Sequence, residues 1–152
     1  MSSDDISYQV ESYSSCIEEM KLLYQEHYEE LSVTKMFTLS PSYDTYIQLD
    51  KLNLLCTVTC RVAGNLVGYI LAIISPSLHY SSMLIASEDI YFLKKEYRKG
   101  RTGINMFKYF EKQMKNRGVN RIMITTKVHK DNSKLFEYLG YSFVEKLFSK
   151  VI

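Results

Sequence analysis

The sequence predicts a single α/β domain in which a mixed, mostly antiparallel sheet is flanked by helices. Three observations support this fold class. The chain has 152 residues, which is the length of one domain. Segments with helical spacing of apolar residues alternate with strand-like segments, in the order α-α-β-β-β-α-β-α-β. Neither internal repeats nor a linker of biased composition divides the chain.

The composition is typical of a globular protein with a packed core, since 46% of the residues are hydrophobic and 24% are charged. No stretch approaches the ~18 consecutive apolar residues of a membrane-spanning helix. Residues 1–5 are acidic and polar, unlike a secretory signal. The three cysteines lack the spacing of zinc ligands, and we expect them to be reduced and packed as small apolar side chains. We therefore expect a cytoplasmic protein without a metal site.

The first two elements are predicted to be helices. A Ser-x-x-Glu capping box begins at Ser15, and apolar residues then recur with helical spacing to about residue 30. His27 lies on this apolar stripe and is expected to be a hydrogen-bonded core residue. A short second helix is predicted over Tyr43–Lys51, with Ser42 as its N-cap.

Three strands are predicted next. Residues 54–62 alternate in polarity, as in a half-buried strand, and residues 66–74 form an almost continuous apolar run, as in a central strand. The turn residues Ala63-Gly64-Asn65 between them indicate a hairpin. Residues 77–87 fit either a strand or a loop, and residues 89–93 predict a short buried strand.

The C-terminal part is predicted to contain a helix, a strand, a helix and a last strand. An amphipathic helix from Ile104 ends before Gly118, a residue type that suits the position after a helix C-cap. Residues 121–128 are rich in β-branched side chains, which favours a strand. A short helix with N-caps among residues 131–133 then ends at Gly140, and residues 143–151 predict the last strand.

Charge is distributed unevenly along the chain, although the formal net charge is only +2. Residues 1–90 carry 4 basic and 12 acidic side chains, a net charge of −8, whereas residues 91–152 carry 15 basic and 5 acidic side chains, a net charge of +10. Such asymmetry predicts an anionic partner for the C-terminal part of the chain.

The segment Arg98-Lys99-Gly100-Arg101-Thr102-Gly103 lies between a predicted strand and the amphipathic helix. A helix N-terminus presents unpaired N–H groups and about half a positive charge, and glycines let the backbone approach an anion closely. Three basic side chains add charge for phosphate oxygens. The segment lacks both the Gly-Lys-Ser/Thr end of a Walker loop and the three-glycine dinucleotide pattern. The sequence therefore predicts a pyrophosphate site of another class.

This segment resembles the R/Q-x-x-G-x-G/A loop of the GNAT family of acetyl-CoA-dependent N-acetyltransferases, with Arg101 in place of the middle glycine. The resemblance extends from the N-terminal helices to Leu139-Gly140-Tyr141, and it is greatest to members that bacteriophages encode. It implies one GNAT-like domain over residues 1–152, acetyl-CoA as co-substrate, and a location in the cytoplasm of a host cell. The implied cofactor-binding residues are Tyr91, Phe92, Leu93, Arg98, Lys99, Gly100, Arg101, Thr102, Gly103 and Ile104.

The resemblance also implies acetyl transfer to a primary amine, which needs a base for the ammonium proton and an acid for the departing thiolate. Glu88 and Asp89 stand near the position of the family's base glutamate. Phe136 stands where the family has a tyrosine acid, and Tyr138 follows two residues later, about 200° around a helix. His79 is a further candidate base because the ordinary pKa of histidine lies near neutrality.

Two other functions remain open at this point. Phe136 favours a relative that binds acyl-CoA without catalysis, and the basic C-terminal part favours a nucleic-acid-binding module. The aromatic residues lie at core spacing, which argues against a base-stacking surface. We expect acetyl-CoA and an amine acceptor as partners, the acceptor being a small molecule, a protein lysine or a protein N-terminus. We expect neither a membrane nor a nucleic acid as partner, and a homodimer is compatible with the sequence.

Overall fold

The computed structural model describes residues 5–32 and 37–152, so residues 1–4 and 33–36 lie outside the described part. Its centre is a five-stranded sheet in the order β1-β2-β3-β4-β5. Neighbouring strands are antiparallel from β1 to β4, and β5 is parallel to β4. The predicted mixed, mostly antiparallel sheet is therefore confirmed. The strands are β1 (Ile6–Val10), β2 (Leu55–Val62), β3 (Asn65–Pro76), β4 (Leu84–Leu93) and β5 (Arg121–Met123).

Helices cover both faces of the sheet, so apolar side chains are buried on either side of it. The described helices are α1 (Tyr13–Leu31), α2 (Tyr43–Lys51), α3 (Thr102–Asn116) and α4 (Ser133–Tyr138). α1 and α2 pack on one face around a tyrosine-rich core that includes Tyr13, Tyr24 and Tyr69. α3 and α4 pack on the other face, where Phe107 and Phe136 belong to the larger core.

The start of α1 differs from its prediction, whereas α2 has the predicted bounds. The N-cap of α1 is Ser12, and the Ser15 hydroxyl donates to the Ser12 carbonyl at 2.7 Å instead of starting a capping box. The Tyr13 N–H donates to the Asp50 carboxylate of α2 at 3.0 Å. A neighbouring helix thus satisfies one of the free N-terminal amides, which local sequence cannot reveal.

β1 is an edge strand that the sequence pattern does not reveal. It pairs with β2 from Ile6 opposite Val62 to Val10 opposite Val58. The Tyr8 hydroxyl donates to the Thr102 carbonyl at 3.1 Å, which ties β1 to the start of α3. Because β1 precedes α1, the element order is β-α-α-β-β-β-α-β-α and not the predicted one.

The predicted strand over residues 143–151 is wrong. Residues 142–152 follow α4 without regular secondary structure, and their large apolar side chains are exposed. The predicted strand over residues 121–128 shortens to Arg121–Met123, because the chain then diverges from β4 and Thr125 bonds the Glu88 side chain. Alternating polarity shows which side chains can share a face, but a strand also needs a neighbour to pair with.

β2 and β3 form the predicted hairpin. β2 is buried on both faces instead of one, since Thr57 and Thr59 are fully buried. Gly68 in β3 lies so near β4 that a Cβ there would stand 2.9 Å from the Phe92 carbonyl oxygen. Glycine therefore permits the close approach of these two strands.

The three cysteines are free and buried, as predicted. Burial raises the pKa of Cys16 to about 12 and that of Cys60 to about 11. In the described ranges, no three metal-ligating side chains cluster. No helix described here has the length and apolarity needed to cross a bilayer.

Candidate active site

β4 and β5 diverge, and the divergence opens a cleft of about 430 Å³. β5 pairs with β4 only at Ile85, Ala86 and Ser87. The edge of β4 from residue 88 to residue 93 therefore has no strand partner on this side among the described residues. The start of α3, the end of α1 and residues 125–135 form the other walls. Backbone groups along a free strand edge can bond an extended ligand.

A β-bulge stands where the free edge begins. In the ladder between β3 and β4, Leu71 pairs with Ile90 and Ala72 pairs with Glu88, so Asp89 is an extra residue on β4. A bulge turns the side chains around it in new directions. Consequently Glu88 contacts the segment after β5, whereas Asp89 contacts α2.

Glu88 spans the opening between the two strands. Its Oε2 accepts hydrogen bonds from the Thr125 N–H at 3.1 Å and from the Thr125 hydroxyl at 3.0 Å. Burial raises the pKa of Glu88, and the bonds from Thr125 offset part of this shift. Because Glu88 lines the cleft, this carboxylate is placed to accept a proton there.

Asp89 lines the same cleft but is exposed and lies on the side of α2. The Tyr46 hydroxyl donates to Asp89 Oδ2 at 2.5 Å. Burial and this bond raise the pKa of Tyr46, so Tyr46 stays a donor at neutral pH. The geometry leaves a fixed, accessible carboxylate beside the cleft, which suits a cationic group.

The backbone that leads into α3 has the features of an anion site. Gly100 has a φ of +72°, which favours glycine. The Asn105 N–H donates to the Arg101 carbonyl at 2.8 Å as the first bond of α3, so the amides of residues 102–104 precede the helical bonds. A Cβ on Gly103 would touch only the Leu93 side chain, at 3.8 Å, and Gly103 lines the cleft.

Arg98 connects two walls of the cleft. Its Nε donates to the Leu93 carbonyl at 2.6 Å, and its terminal nitrogens donate to the Glu30 carboxylate at 2.6 and 2.7 Å. Lys130 donates to the same carboxylate at 2.6 Å. These bonds hold the pKa of Glu30 at about 2. Two cations that could meet a phosphate are thus positioned by one carboxylate from α1.

Tyr91 lines the cleft, and its ring contacts Phe136, the residue at the position where the sequence resemblance implies a tyrosine acid. Its ring packs edge-on against Phe136 and Phe107, with centroid distances of 5.8 and 5.4 Å. The Asn132 side-chain amide donates to the Tyr91 hydroxyl at 3.1 Å. Burial raises the pKa of Tyr91, so its hydroxyl is protonated at neutral pH.

His27 also lines the cleft, although its place on an apolar stripe indicates only a core residue. Its Nδ1 shares a hydrogen bond of 2.7 Å with the Tyr69 hydroxyl, and its ring stacks on Phe92 at 4.9 Å. Burial lowers the pKa of His27 to about 4, so the imidazole is neutral near pH 7. Its helical spacing predicts burial but does not identify the cavity beside it.

The structure does not bring every predicted site residue to the cleft. His79 lies in an exposed turn between β3 and β4, at the far end of β4. Tyr138 is 60% exposed, because on this short helix Phe136 takes the inward position. Lys99 and Arg101 precede α3 and Thr102 begins it, but none of the three lines the cleft. The predicted residues that do line the cleft are Glu88, Asp89, Tyr91, Phe92, Leu93, Arg98, Gly100, Gly103 and Ile104.

Comparison with known sequences identifies one family. The profile described as the acetyltransferase (GNAT) family matches residues 17–141. No protein with a curated description is similar enough in sequence to match.

Solved structures share the fold at low sequence identity. An aminoglycoside acetyltransferase, HMB0005, from an uncultured soil metagenomic sample superposes with a TM-score of 0.77 at 15% identity, over 100% of this chain and 99% of that one. A ribosomal-protein-alanine N-acetyltransferase from Brucella melitensis biovar Abortus 2308 gives 0.70 at 16% identity, over 97% of both chains. Glucosamine-6-phosphate N-acetyltransferase from Arabidopsis thaliana gives 0.69 at 12% identity, over 96% of this chain and 97% of that one. The three named acceptors differ, so these likenesses describe the fold and not the acceptor.

Proposed function

This chain belongs to the acetyltransferase (GNAT) family, and from that premise we propose that it transfers an acetyl group from acetyl-CoA to a primary amine. The observation that carries the proposal is the cleft where β4 and β5 diverge, because it joins a free strand edge to the N-terminus of α3. An edge suits an extended amide chain, and a helix N-terminus suits phosphates. The proposed acceptor is a small molecule, a protein lysine or a protein N-terminus.

The residues along the cleft fit acetyl-CoA. Backbone groups of Tyr91, Phe92 and Leu93 would bond the amides of the pantetheine arm as a paired strand does. The amides of residues 100–104 would hold the pyrophosphate, with charge from Arg98, Lys99 and Arg101 around it. Support comes from Gly103, which lines the cleft and where a Cβ would meet only the Leu93 side chain, so the backbone there is open to a ligand.

Acetyl-CoA supplies an activated acyl carbon, so the protein has to accept a proton from the amine and provide one for the sulfur. We assign the base to Glu88, which takes one ammonium proton and frees the nitrogen lone pair to form the C–N bond. Asp89, on the side of α1 and α2, holds the ammonium form of the acceptor before this step.

Tyr91 is the proposed proton donor, because Phe136 has no proton to give. When the C–S bond breaks, the Tyr91 hydroxyl protonates the departing sulfur, and Asn132 keeps that hydroxyl oriented. Tyr91 regains its proton from the second nitrogen proton by way of solvent, and Glu88 releases the first one. The products are an N-acetylated amine, free CoA and one proton.

The test combines ligand binding with turnover. CoA and acetyl-CoA should raise the melting temperature, and NAD or ATP at the same concentration should raise it less. Ligand that binds only the native state stabilises by about 2.7 kcal/mol at a hundredfold excess over Kd. A panel of amines with acetyl-CoA, followed by free-thiol release, should then identify an acceptor.

Each result separates the proposal from its alternatives. No melting shift with millimolar CoA would overturn the cofactor assignment and favour the nucleic-acid-binding alternative. A shift without thiol release from any amine would favour a relative that binds acyl-CoA without catalysis. The kinship with bacteriophage-encoded members and the cytoplasmic location stay predictions.

A further inference from the structure

Three basic side chains line one part of the cleft around a single acidic side chain. Lys127 and Lys130 come from the segment between β5 and α4, and Arg98 comes from the loop before α3. Glu30 pairs with both Arg98 and Lys130. Lys127 forms no ion pair with any residue that the structure describes. Three positive charges thus meet one carboxylate here, and the Lys127 ammonium is left to bind an anion.

The two lysines approach the end of α1. The Lys130 ammonium contacts the Glu30 carboxylate at 2.6 Å, and Glu30 is the second-last residue of that helix. Burial lowers the pKa of His27 on the same helix, and the positive charge of Lys127 lowers it further. Both ammonium groups are therefore near α1, the helix that borders the cleft together with β4.

Lys127 also stands near the proposed base. It follows Thr125 by two residues, and Thr125 bonds Glu88. Burial raises the pKa of Glu88, whereas the bonds from Thr125 and the charge of Lys127 lower it. Asp89 points the other way, towards Tyr46 of α2. An amine that reacts at Glu88 would therefore have a carboxylate on the side of α2 and an ammonium group on the side of the segment after β5.

We propose that the acceptor is a small amine that also carries an anionic group, a carboxylate or a phosphate, and that Lys127 binds this group with Lys130 beside it. The inference rests on the proposed function, because it concerns the acceptor of the same cleft. The ammonium end of such a molecule meets Glu88 and Asp89, and its anion meets the two lysines. Opposite charges at the two ends fix its orientation and present the nitrogen to the thioester.

The walls of the cleft favour a small acceptor over a protein chain. The Lys130 ammonium bonds Glu30, and the His129 Nε2–H donates to the Leu31 carbonyl at 2.9 Å. These two contacts join the segment after β5 to the end of α1, and a polypeptide that passed between these walls would have to break them. The volume of about 430 Å³ is also shared with the acyl end of the cofactor, so the room that remains suits a small ligand.

Matched pairs of amines test the proposal on the full-length protein with saturating acetyl-CoA. γ-Aminobutyrate is paired with butylamine, and phosphoethanolamine is paired with ethanolamine, so the members of a pair differ by the anion. In at least one pair, kcat/KM in thiol release should be higher by about tenfold or more for the anionic member. The pair with the larger ratio identifies the preferred anion. Calorimetric titration of the same amines into the CoA complex makes the comparison without turnover.

Lys127→Glu is the informative variant, because Lys130 is bonded to Glu30 and its replacement would also disturb Arg98. Lys127→Glu should raise the KM for the anionic amine by about tenfold or more, with the Kd for acetyl-CoA within about twofold of the parent value. Lys127→Arg should restore the KM. The matched control is Lys112→Glu, which makes the same charge change at an exposed position of α3 outside the cleft and should keep the parental KM. Circular dichroism verifies that each variant is folded.

Several results would overturn the proposal. Equal kcat/KM and equal affinity within both pairs would do so, and so would faster acetylation of a lysine-containing peptide than of either anionic amine. A weaker Kd for acetyl-CoA in Lys127→Glu with an unchanged KM for the anionic amine would assign Lys127 to the cofactor and overturn it equally. Failure of the proposed function is a different result, in which CoA does not bind or no amine releases thiol. The calorimetric comparison of the paired amines then still tests the preference for an anion.

Discussion

Glu88 and Asp89 are neighbours in the chain, yet the bulge at Asp89 gives them different partners, Thr125 and Tyr46. Glu88→Gln should lower kcat by about 10²–10⁴-fold with little change in acetyl-CoA affinity, because it removes a proton acceptor far from the phosphates. Asp89→Asn should mainly raise the KM for the amine. Steady-state thiol release with both substrates varied measures these effects.

The paired variants also distinguish the two roles. Loss of turnover in Asp89→Asn together with near-normal turnover in Glu88→Gln would reverse the assignment. Unchanged rates in both variants would exclude both carboxylates as the base and leave a water in that role. His79 would not replace them, because it lies in the turn before β4, at the end of that strand away from α3.

Tyr91 is the second residue whose chemistry can be isolated. Tyr91→Phe keeps the ring packing against Phe136 and removes the proposed proton donor, so kcat should fall by about 10²-fold. The alkaline decline of the pH–rate profile should disappear with it, because that decline reports loss of the donor's proton. Tyr109→Phe is a matched control, since Tyr109 stacks on Tyr8 outside the cleft. Equal rates for parent and Tyr91→Phe would contradict the role.

The candidate site could be predicted where its residues are close in sequence, and not where distant segments meet. Residues 88–104 form one continuous strand, loop and helix start, so spacing locates most of the cleft-lining residues in it. Glu30 reaches Arg98 and Lys130 across 68 and 100 positions of sequence. Those contacts depend on how α1 crosses the sheet, and no local pattern encodes that crossing.

Among the elements, α3 is the one whose N-terminus is proposed to hold phosphate. Gly103→Glu should abolish CoA binding in titration calorimetry, because its carboxylate would extend into the cleft and repel the pyrophosphate. The fold should persist in circular dichroism, since an acidic residue in the first helical turn stabilises a helix by about 0.3–1 kcal/mol.

The matched control for this change is Gln113→Glu, which adds the same charge about 15 Å further along α3. It should bind CoA as the parent does. A folded Gly103→Glu protein with parental CoA affinity would show that the start of α3 is not the phosphate site.

Elements could be predicted when their signals are local. The bounds of α2, the β2–β3 hairpin and the end of α3 before Gly118, which has a φ of +78°, all follow from caps, turns and periodicity. β1 is only five residues long, and its strand state depends on β2, which lies about fifty positions away. Residues 143–151 have the alternation of a strand, but a strand forms only when the chain pairs with a neighbouring strand, and these residues do not pair with one in the described part of the chain.

For the whole molecule, two partly buried groups predict weaker folding in acid. Glu30 has a pKa of about 2 in the fold, below its ordinary value, so its contribution to stability is complete above about pH 4.5 and is lost as the pH falls towards 2. His27 has a pKa of about 4, below its ordinary 6.5, and its contribution is lost as the pH falls from 6.5 towards 4. The contribution of His27 is at most about 3 kcal/mol. The raised pKa values of Glu88 and Glu111 act in the opposite sense.

Urea unfolding at pH 7, 5.5 and 4 measures this dependence. The parent should lose free energy of unfolding over the whole interval, and His27→Gln should lose less between pH 6.5 and 4 because it has no group to protonate there. An identical pH dependence in the two proteins would show that His27 is not a source of the acid sensitivity.

Because Cys16, Cys56 and Cys60 are buried, we expect the native protein to react very slowly with thiol reagents. With their pKa values raised, very little thiolate exists at pH 8, and the three side chains are at most 1% exposed. A chromogenic disulfide will therefore report CoA release without a background from the enzyme. The rate of slow labelling of the same cysteines measures how often the fold opens. Labelling of Cys16 reports the opening of α1, and labelling of Cys56 and Cys60 reports the opening of β2. A single cysteine introduced on the surface could carry a dye while all three natural ones stay in place.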